Sequence, residues 1–345
     1  MTFETAHPLQ PFWNLAAAPI QARALDLALS YKLFDQLSPP RTAGDVAQAL
    51  RLDASATATW LDLLWSMGLL TRHAPALPIA EASFGITELA AAYFREHSTT
   101  ACAQAWQYRA GMLERVAGQM ETLLRAGAPP SAAPGERSKG TWAQAARVQI
   151  GQEQRAVSVP AVLRQVLALS GLPERGRLLD AGGGPGHVAI ALMHALPGWR
   201  GTVCDEPDTA RVAQENIGQA GLSDRLDAWA CDLNRDEIGA GYDLIWCSSV
   251  LHFIEDPRAL LQRMCAALNP GGRLLLAHAE LPDDPALAAQ VMPFYTPVRL
   301  RGNHLPRAGE IPASMVLAGL QQVQALGRLA FPLGPVWVYA GSKPE

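Results

Sequence analysis

The stretch that most constrains this chain is Arg177 to Gly186, reading R-L-L-D-A-G-G-G-P-G. An apolar run ends in a carboxylate, Asp180, and glycines follow at 182, 183, 184 and 186 before an amphipathic stretch from His187 to Leu196. The pattern reads as strand, tight turn, helix. Glycine has no Cβ and tolerates positive φ, so such a turn lets a ligand lie against bare backbone at a helix N-terminus. Further on, Thr202-Val203-Cys204-Asp205 is a second short strand whose terminal acid is placed to accept hydrogen bonds from ribose hydroxyls. A dinucleotide turn needs G-x-G-x-x-G, but counting from Gly182 the sixth position is His187, so that fingerprint fails. The pattern is D-x-G-x-G-x-G. A carboxylate before the turn repels a pyrophosphate and suits a ligand carrying an amino group and a sulfonium.

At 345 residues the chain is long enough for two domains. A hydrophobic content of 49%, a charged content of 17% and a net charge of −4 describe a soluble globular protein with no basic bias toward nucleic acid. No uninterrupted apolar run approaches the length of a membrane span, and the N-terminus lacks the pattern of a signal peptide. The five cysteines (102, 204, 231, 247 and 265) form no C-x-x-C pair, so they read as small apolar residues in a reducing compartment. A cytoplasmic location is expected.

Apolar residues at helical spacing predict a helix from residue 12 to about 37, stopped by Pro39-Pro40. Thr42 caps a short helix with Asp45 three residues later, and a third helix runs from Ser55 to Gly68. Residues 69–72 and 84–87 read as a small hairpin, completing a winged-helix pattern. The third helix of that pattern contains no Lys or Arg, which a DNA-recognition helix needs for phosphate and guanine contacts. A dimerising interaction domain is the expectation, with no nucleic acid as partner. Further helices follow to about residue 125, then a Pro/Gly/Ser-rich linker over 126–140 and another helix over about 142–169. After Asp180, strands alternate with helices: 177–181, 201–205, 226–231, 243–249, 273–279, 324–331 and 335–341, the last two joined by a Pro/Gly turn. The fold class is α/β: a Rossmann-like seven-stranded sheet preceded by an α-helical winged-helix domain. The expected division is 1–100 for dimerisation, 101–165 as a helical region roofing the substrate, and 166–345 for cofactor binding and catalysis.

The glycine motif resembles motif I of the class I methyltransferases, which bind S-adenosyl-L-methionine, and four further pieces extend the resemblance. Asp205-Glu206-Pro207, Cys231-Asp232-Leu233, Val250-Leu251-His252 and Asn269-Pro270-Gly271-Gly272-Arg273 match, in order, segments of the small-molecule O-methyltransferases of bacteria and plants. The resemblance implies a homodimeric enzyme acting on a small aromatic or secondary-metabolite hydroxyl. It places Asp180, Gly182, Gly184, Gly186, Asp205, Asp232, Leu233 and Ser248 at the cofactor, with Asp205 on the ribose and Asp232 on the adenine amino group. His252 falls where the family keeps its catalytic base. Methyl transfer is an in-line displacement, so the enzyme mainly aligns the reactants, but a phenol or enol must still lose its proton, and imidazole suits that task.

The chain also departs from the family. The usual H-D-W is His252-Phe253-Ile254 here. Where plant relatives carry acidic residues that orient the base, this chain has His278, with Glu280 two residues beyond, and, near the second position, His304. His252, His278 and His304 are therefore all catalytic candidates. Their convergence admits two explanations: a polar pocket around an ordinary base with no metal, or a metal site using His252 and His304 to hold an enolised keto acid for C-methylation. Trp106, Tyr108, Met112, Trp142, Met292, Phe294 and Tyr295 are the bulky candidates for the pocket wall, and His187 and His194 read as surface or helix residues. A reading of another class is a winged-helix protein that binds or senses the cofactor without catalysis.

Overall fold

A computed structural model describes residues 7–73, 82–127, 141–329, 331 and 333–345. The expected linker lies almost wholly outside these residues. The chain divides into two compact units, one up to Ala110 and one from Gly111. The helical stretch before the glycine turn contributes Val162 and Val166 to the core of the second unit.

In the first unit, the long N-terminal helix is Gln10–Ser30 and a short turn, Leu33–Gln36, follows it. Strand β1 is Arg41–Thr42, β2 is Leu70–His73 and β3 is Ser83–Ile86, in the order β1-β3-β2 with antiparallel pairing. The capping box on Ala43–Leu50 is formed as the sequence predicts: Asp45 N–H donates to Thr42 Oγ1, and Thr42 N–H donates to the Asp45 carboxylate. The helix Ala54–Ser66 carries no cation, and the nearby Arg72 stacks over Trp65 at 3.9 Å while pairing with Asp62 at 2.7 Å. The unit is thus a set of helices with a small antiparallel sheet, around a core that includes Leu33, Phe34, Leu61, Leu64 and Phe84.

The second unit is a seven-stranded sheet. Its strands are β4 Arg177–Ala181, β5 Arg200–Asp205, β6 Leu226–Ala230, β7 Tyr242–Ser248, β8 Leu268–His278, β9 Gln321–Leu329 and β10 Val336–Ser342. Their order is β6-β5-β4-β7-β8-β10-β9, parallel except for the antiparallel β10. Alternation along the strands feeds two cores, one on each face. Leu178, Val203, Leu244, Trp246, Leu275 and Ala277 face one side, and Leu179, Cys204, Ile245, Cys247, Leu274 and Leu276 the other. Near-continuous apolar runs at β4 and β7 follow, since both faces are covered. The strand order reverses between β4 and β7, and a parallel sheet binds ligands at the carboxyl ends of strands beside such a switch point.

Residues 141–167 are helical throughout, but two π-helical turns, Ala146–Ile150 and Gln154–Ser158, interrupt the α geometry. A π turn swings its side chains off the regular helical face and recurs at functional sites. Val162 and Val166 of this stretch are fully buried in the second unit's core. Among the described residues, no helix is long and apolar enough to cross a membrane.

Candidate active site

The glycine turn has the geometry its composition demands. Gly182, Gly184 and Gly186 all have positive φ (71°, 60° and 78°), and Gly186 starts the helix His187–Ala195. A Cβ on Gly182 would lie 2.4 Å from Val250 Cγ2, so the end of β4 and the loop after β7 touch directly. Leu233, which follows β6, lies on the same spot, with Cδ1 at 3.6 Å from that position. Gly182, Leu233 and Val250 therefore form one apolar notch at the switch point. Ser248 ends β7 beside it in register with Ala277, and Ser249 takes a left-handed φ of 57° that turns the chain toward His252.

Two carboxylates flank this turn. Asp180 is 2% exposed, and its side chain sits under Gly183, where a Cβ would meet its carboxyl carbon at 2.6 Å. Its Oδ2 is buried without a hydrogen-bond partner, and burial, then the charge of Asp205, pushes its pKa up to about 7. Asp205, at the end of β5, accepts from Gly184 N–H with one oxygen and from Glu206 N–H with the other, both at 2.8 Å. Burial raises it to about 6, against the lowering effect of those two donors. Asp180 thus supports the turn from below, while Asp205 closes over it. Asp232 stands apart from both. Its carboxylate accepts from Asn234 N–H at 2.9 Å and lies 3.8 Å from Arg235, closing a local turn.

Gln154 is a residue the sequence reading missed. From the second π turn its Nε2 donates to Gly183 carbonyl oxygen at 3.0 Å, and its Oε1 accepts from His187 N–H at 3.1 Å. One amide therefore clamps both ends of the turn and caps the helix after it. A glutamine on a helix carries no spacing signal, so nothing in the sequence marks it. His187 is a helix residue, one of the two readings its position offered; it is half-buried against Arg155, which donates to Nε2 at 2.7 Å, and burial pushes its pKa down to about 4.

The three candidate histidines separate. His252 and His278 are buried and face each other, with His252 Nδ1 and His278 Nε2 at 3.0 Å. Their protonation follows from the fixed partners. His278 Nδ1 lies 2.6 Å from Ala279 carbonyl oxygen, which only accepts, so Nδ1 carries the proton. His278 Nε2 is then an acceptor, and His252 N–H donates to it at 3.3 Å. His252 Nδ1 must therefore carry its own proton toward His278, which puts the lone pair on Nε2. Burial holds His278 down to about 4, so it stays neutral at physiological pH. Around His252 pack Phe253 at 3.9 Å and Tyr295 at 5.9 Å between ring centroids, and Trp142 stands edge-on to Phe253 at 5.3 Å.

His304 lies at the surface, near enough for its charge to add to the lowering of His278. Its side chain is 60% exposed and bonds Glu310 at 3.0 Å, beside a surface cavity of about 370 Å³ with Arg299 and Arg307. Among the described residues no three His, Cys, Asp or Glu side chains meet as metal ligands. Glu280 has one oxygen, Oε1, buried without a hydrogen-bond partner. It is buried with Tyr339, whose hydroxyl donates to it at 3.0 Å, and burial raises it to about 7. Trp106, expected on the pocket wall, packs against the core of the first unit.

Comparison with known proteins agrees with this geometry. Residues 179–274 match the family model described as a methyltransferase domain. An L-tyrosine C(3)-methyltransferase of Streptomyces lavendulae is 31% identical over 175 residues, 49% of this chain and 47% of that protein. A 3-hydroxy-5-methyl-1-naphthoate 3-O-methyltransferase of Streptomyces sahachiroi is 34% identical over 123 residues, 35% of this chain and 36% of that one. The chain thus spans half or less of the length of these curated relatives. The solved structure of human N-acetylserotonin methyltransferase, in complex with SAM, superposes over 100% of both chains with a TM-score of 0.78 at 20% identity. Residues 179–274 are therefore a methyltransferase domain, and over its full length the chain has the fold of the small-molecule O-methyltransferase family that its motifs resemble.

Proposed function

We propose that the protein is an S-adenosyl-L-methionine-dependent methyltransferase that methylates a hydroxyl of a small aromatic or secondary-metabolite acceptor, with His252 as the base. The observation that carries this reading is the placement of the glycine turn and His252 at the carboxyl ends of adjacent strands, β4 and β7, with the lone pair of His252 fixed on Nε2. The residues present suit a cationic nucleoside. The unpartnered oxygen of Asp180 and the carboxylate of Asp205 stand at the turn, and the notch of Gly182, Leu233 and Val250 offers an apolar slot for a flat base. Bound, the cofactor supplies a methyl group on a sulfonium for in-line displacement. Asp205 and the turn backbone would hold the ribose and amino-acid ends, Leu233 and Val250 would flank the adenine, and Asp232 would meet its amino group. His278 holds the His252 ring in one tautomer, and His252 Nε2 takes the acceptor's proton. Phe253, Tyr295 and Trp142 keep water from the base.

The same base also serves ring methylation, since a phenol that loses its proton becomes nucleophilic at the ortho carbon. The relative named for C(3)-methylation of tyrosine favours that as the second reading.

The assembly proposed is a homodimer. On the first helix Phe12, Trp13, Leu15 and Ile20 are each about two-thirds exposed, a row of large apolar side chains that a second copy covers. Light scattering on wild type and Trp13→Glu checks this, with a dimer and a monomer expected.

Calorimetry with S-adenosylmethionine, followed by turnover on a panel of phenols, tests the main reading. His252→Ala is expected to cut kcat about 100- to 10,000-fold while changing cofactor affinity less than about twofold. Unchanged turnover removes His252 as the base.

A further inference from the structure

Beyond the carboxyl end of β8 the chain builds a second polar feature, near the histidine pair but of different chemistry. The surface cavity of about 370 Å³ is lined by Arg299, Asn303, His304 and Arg307, with Leu281 and Leu305 as its apolar wall. Its backbone is pinned. Leu281 N–H donates to Pro306 carbonyl oxygen at 2.8 Å, and Ala308 N–H donates to Leu281 carbonyl oxygen at 3.0 Å. The segment carrying Arg307 therefore runs parallel to the chain that leaves β8. Arg299 comes from the helix Pro285–Leu300, where its Nη1 donates to Met292 Sδ at 3.8 Å. Met292, Tyr295 and Arg299 recur at i, i+3 and i+7, which is one face of a helix. Tyr295 of that face packs edge-on against the His252 ring at 5.9 Å. Arg299 thus stands one turn, about 6 Å, beyond a residue that touches His252.

The charge of this cavity is positive. Arg299 and Arg307 bring two guanidinium groups, and among the described residues neither is paired with a carboxylate. Glu310, the acid at the rim, already accepts from the His304 ring and from Arg307 N–H. A guanidinium offers a planar fork of donors that matches a carboxylate, and the Asn303 amide adds a neutral donor. We propose that this cavity binds a carboxylate carried by the acceptor, so that the substrate is an aromatic hydroxy acid with its hydroxyl at His252 and its acid group between Arg299 and Arg307. This deepens the methyl-transfer reading above and rests on it. The flat frame of the acceptor lies along Tyr295, between base and arginines. Holding the far end fixes the direction in which the ring enters, and so presents one hydroxyl in line with the methyl group.

Matched acceptors test this: 3-hydroxybenzoate and 4-hydroxycinnamate, each against its own methyl ester. Wild type is expected to prefer each acid by at least about tenfold in kcat/KM, with the difference in KM. Arg299→Gln and Arg307→Gln are each expected to cut that preference about tenfold through the KM of the acid, while kcat on the acid moves less than about threefold. Arg299→Lys is expected to restore part of it, since lysine keeps the charge and loses the fork. Both arginines are exposed, so these variants leave the core intact. A readout independent of turnover is calorimetry with cinnamate, which carries the acid and no hydroxyl. Binding to wild type and about tenfold weaker binding to each Gln variant are expected. Equal kcat/KM for acid and ester, or a preference indifferent to both arginines, overturns the carboxylate site and leaves methyl transfer standing. Inorganic phosphate that alters turnover of the esters without displacing cinnamate makes the cavity a site for a free anion, and that also overturns the proposal. Arginine-dependent binding of cinnamate with no methylated product from any acceptor overturns the methyl-transfer reading, and the acceptor assignment with it.

Discussion

The glycine turn at β4 and the histidine pair at β7 and β8 occupy the same end of one sheet, yet they treat charge in opposite ways. At the turn, two carboxylates are held above their ordinary range, Asp180 at about 7 and Asp205 at about 6, chiefly by burial. A cationic ligand bound there would pull both toward the ionised form. At the histidine pair, burial holds His278 down to about 4, and the pair is knit from neutral donors and acceptors. One region gathers buried acids around a tight backbone turn, and the other pairs two buried imidazoles in a fixed orientation. The difference teaches that the two half-sites follow different rules: the turn works through backbone shape and fixed acids, the pair through the direction of single hydrogen bonds.

The sharpest way to break the turn side of this contrast is Gly182→Ala. A left-handed backbone costs a residue with a Cβ about 1–2 kcal/mol, and the new methyl would press on Val250, so cofactor binding measured by calorimetry is expected to weaken about 30-fold or more. Val250→Ala in the same chain is expected to recover part of the loss, which a purely conformational cost would not allow.

Gln154→Ala probes the clamp. Removing one amide that satisfies both Gly183 and His187 is expected to weaken cofactor binding about tenfold while leaving kcat at saturating cofactor unchanged. An equal fall in kcat would show that the turn and the base are not separable.

Asp180→Asn separates charge from shape. The folded pKa of Asp180 lies above the unfolded value, so the proton is held more tightly in the folded protein. Wild-type stability therefore declines on this account as pH rises from about 4 to about 7 and then levels. The variant is expected to gain on the order of 2 kcal/mol over wild type at pH 8 and nothing at pH 3.5, read by denaturant unfolding without cofactor. With cofactor the sign reverses. Wild-type affinity is expected to rise with pH through the range 6 to 7, and the variant should bind several-fold more weakly and with a flatter pH dependence.

The smallest expected effect is that of His304→Ala. An exposed imidazole paired with Glu310 on the surface is worth little, so kcat should move less than about twofold and stability less than about 0.5 kcal/mol. A loss comparable to that of His252→Ala would return His304 to the catalytic set.

Much of the fold was legible because its signals are local. The alternation of strands and helices after Asp180, the positive-φ glycines and the Thr42–Asp45 capping box each lie within a few residues of one another, and each formed where spacing placed it. The histidines show where that reasoning stops. His252 and His278 are 26 residues apart and meet only because β7 and β8 pair in a particular register, whereas His304, reached by counting along a loop, was carried to the surface. Gln154 lies 29 residues before Gly183, and two π turns bring it onto the turn.

By itself, then, the amino-acid sequence determined a doubly covered parallel sheet, a ligand turn built on bare backbone and an acid at the end of the next strand, since apolar periodicity and glycine's freedom act over short range. Only the tertiary structure decided which imidazole faces His252, which nitrogen of His252 carries the lone pair and which glutamine clamps the turn. Those depend on hydrogen-bond direction between side chains that are distant in sequence, a property that no spacing encodes.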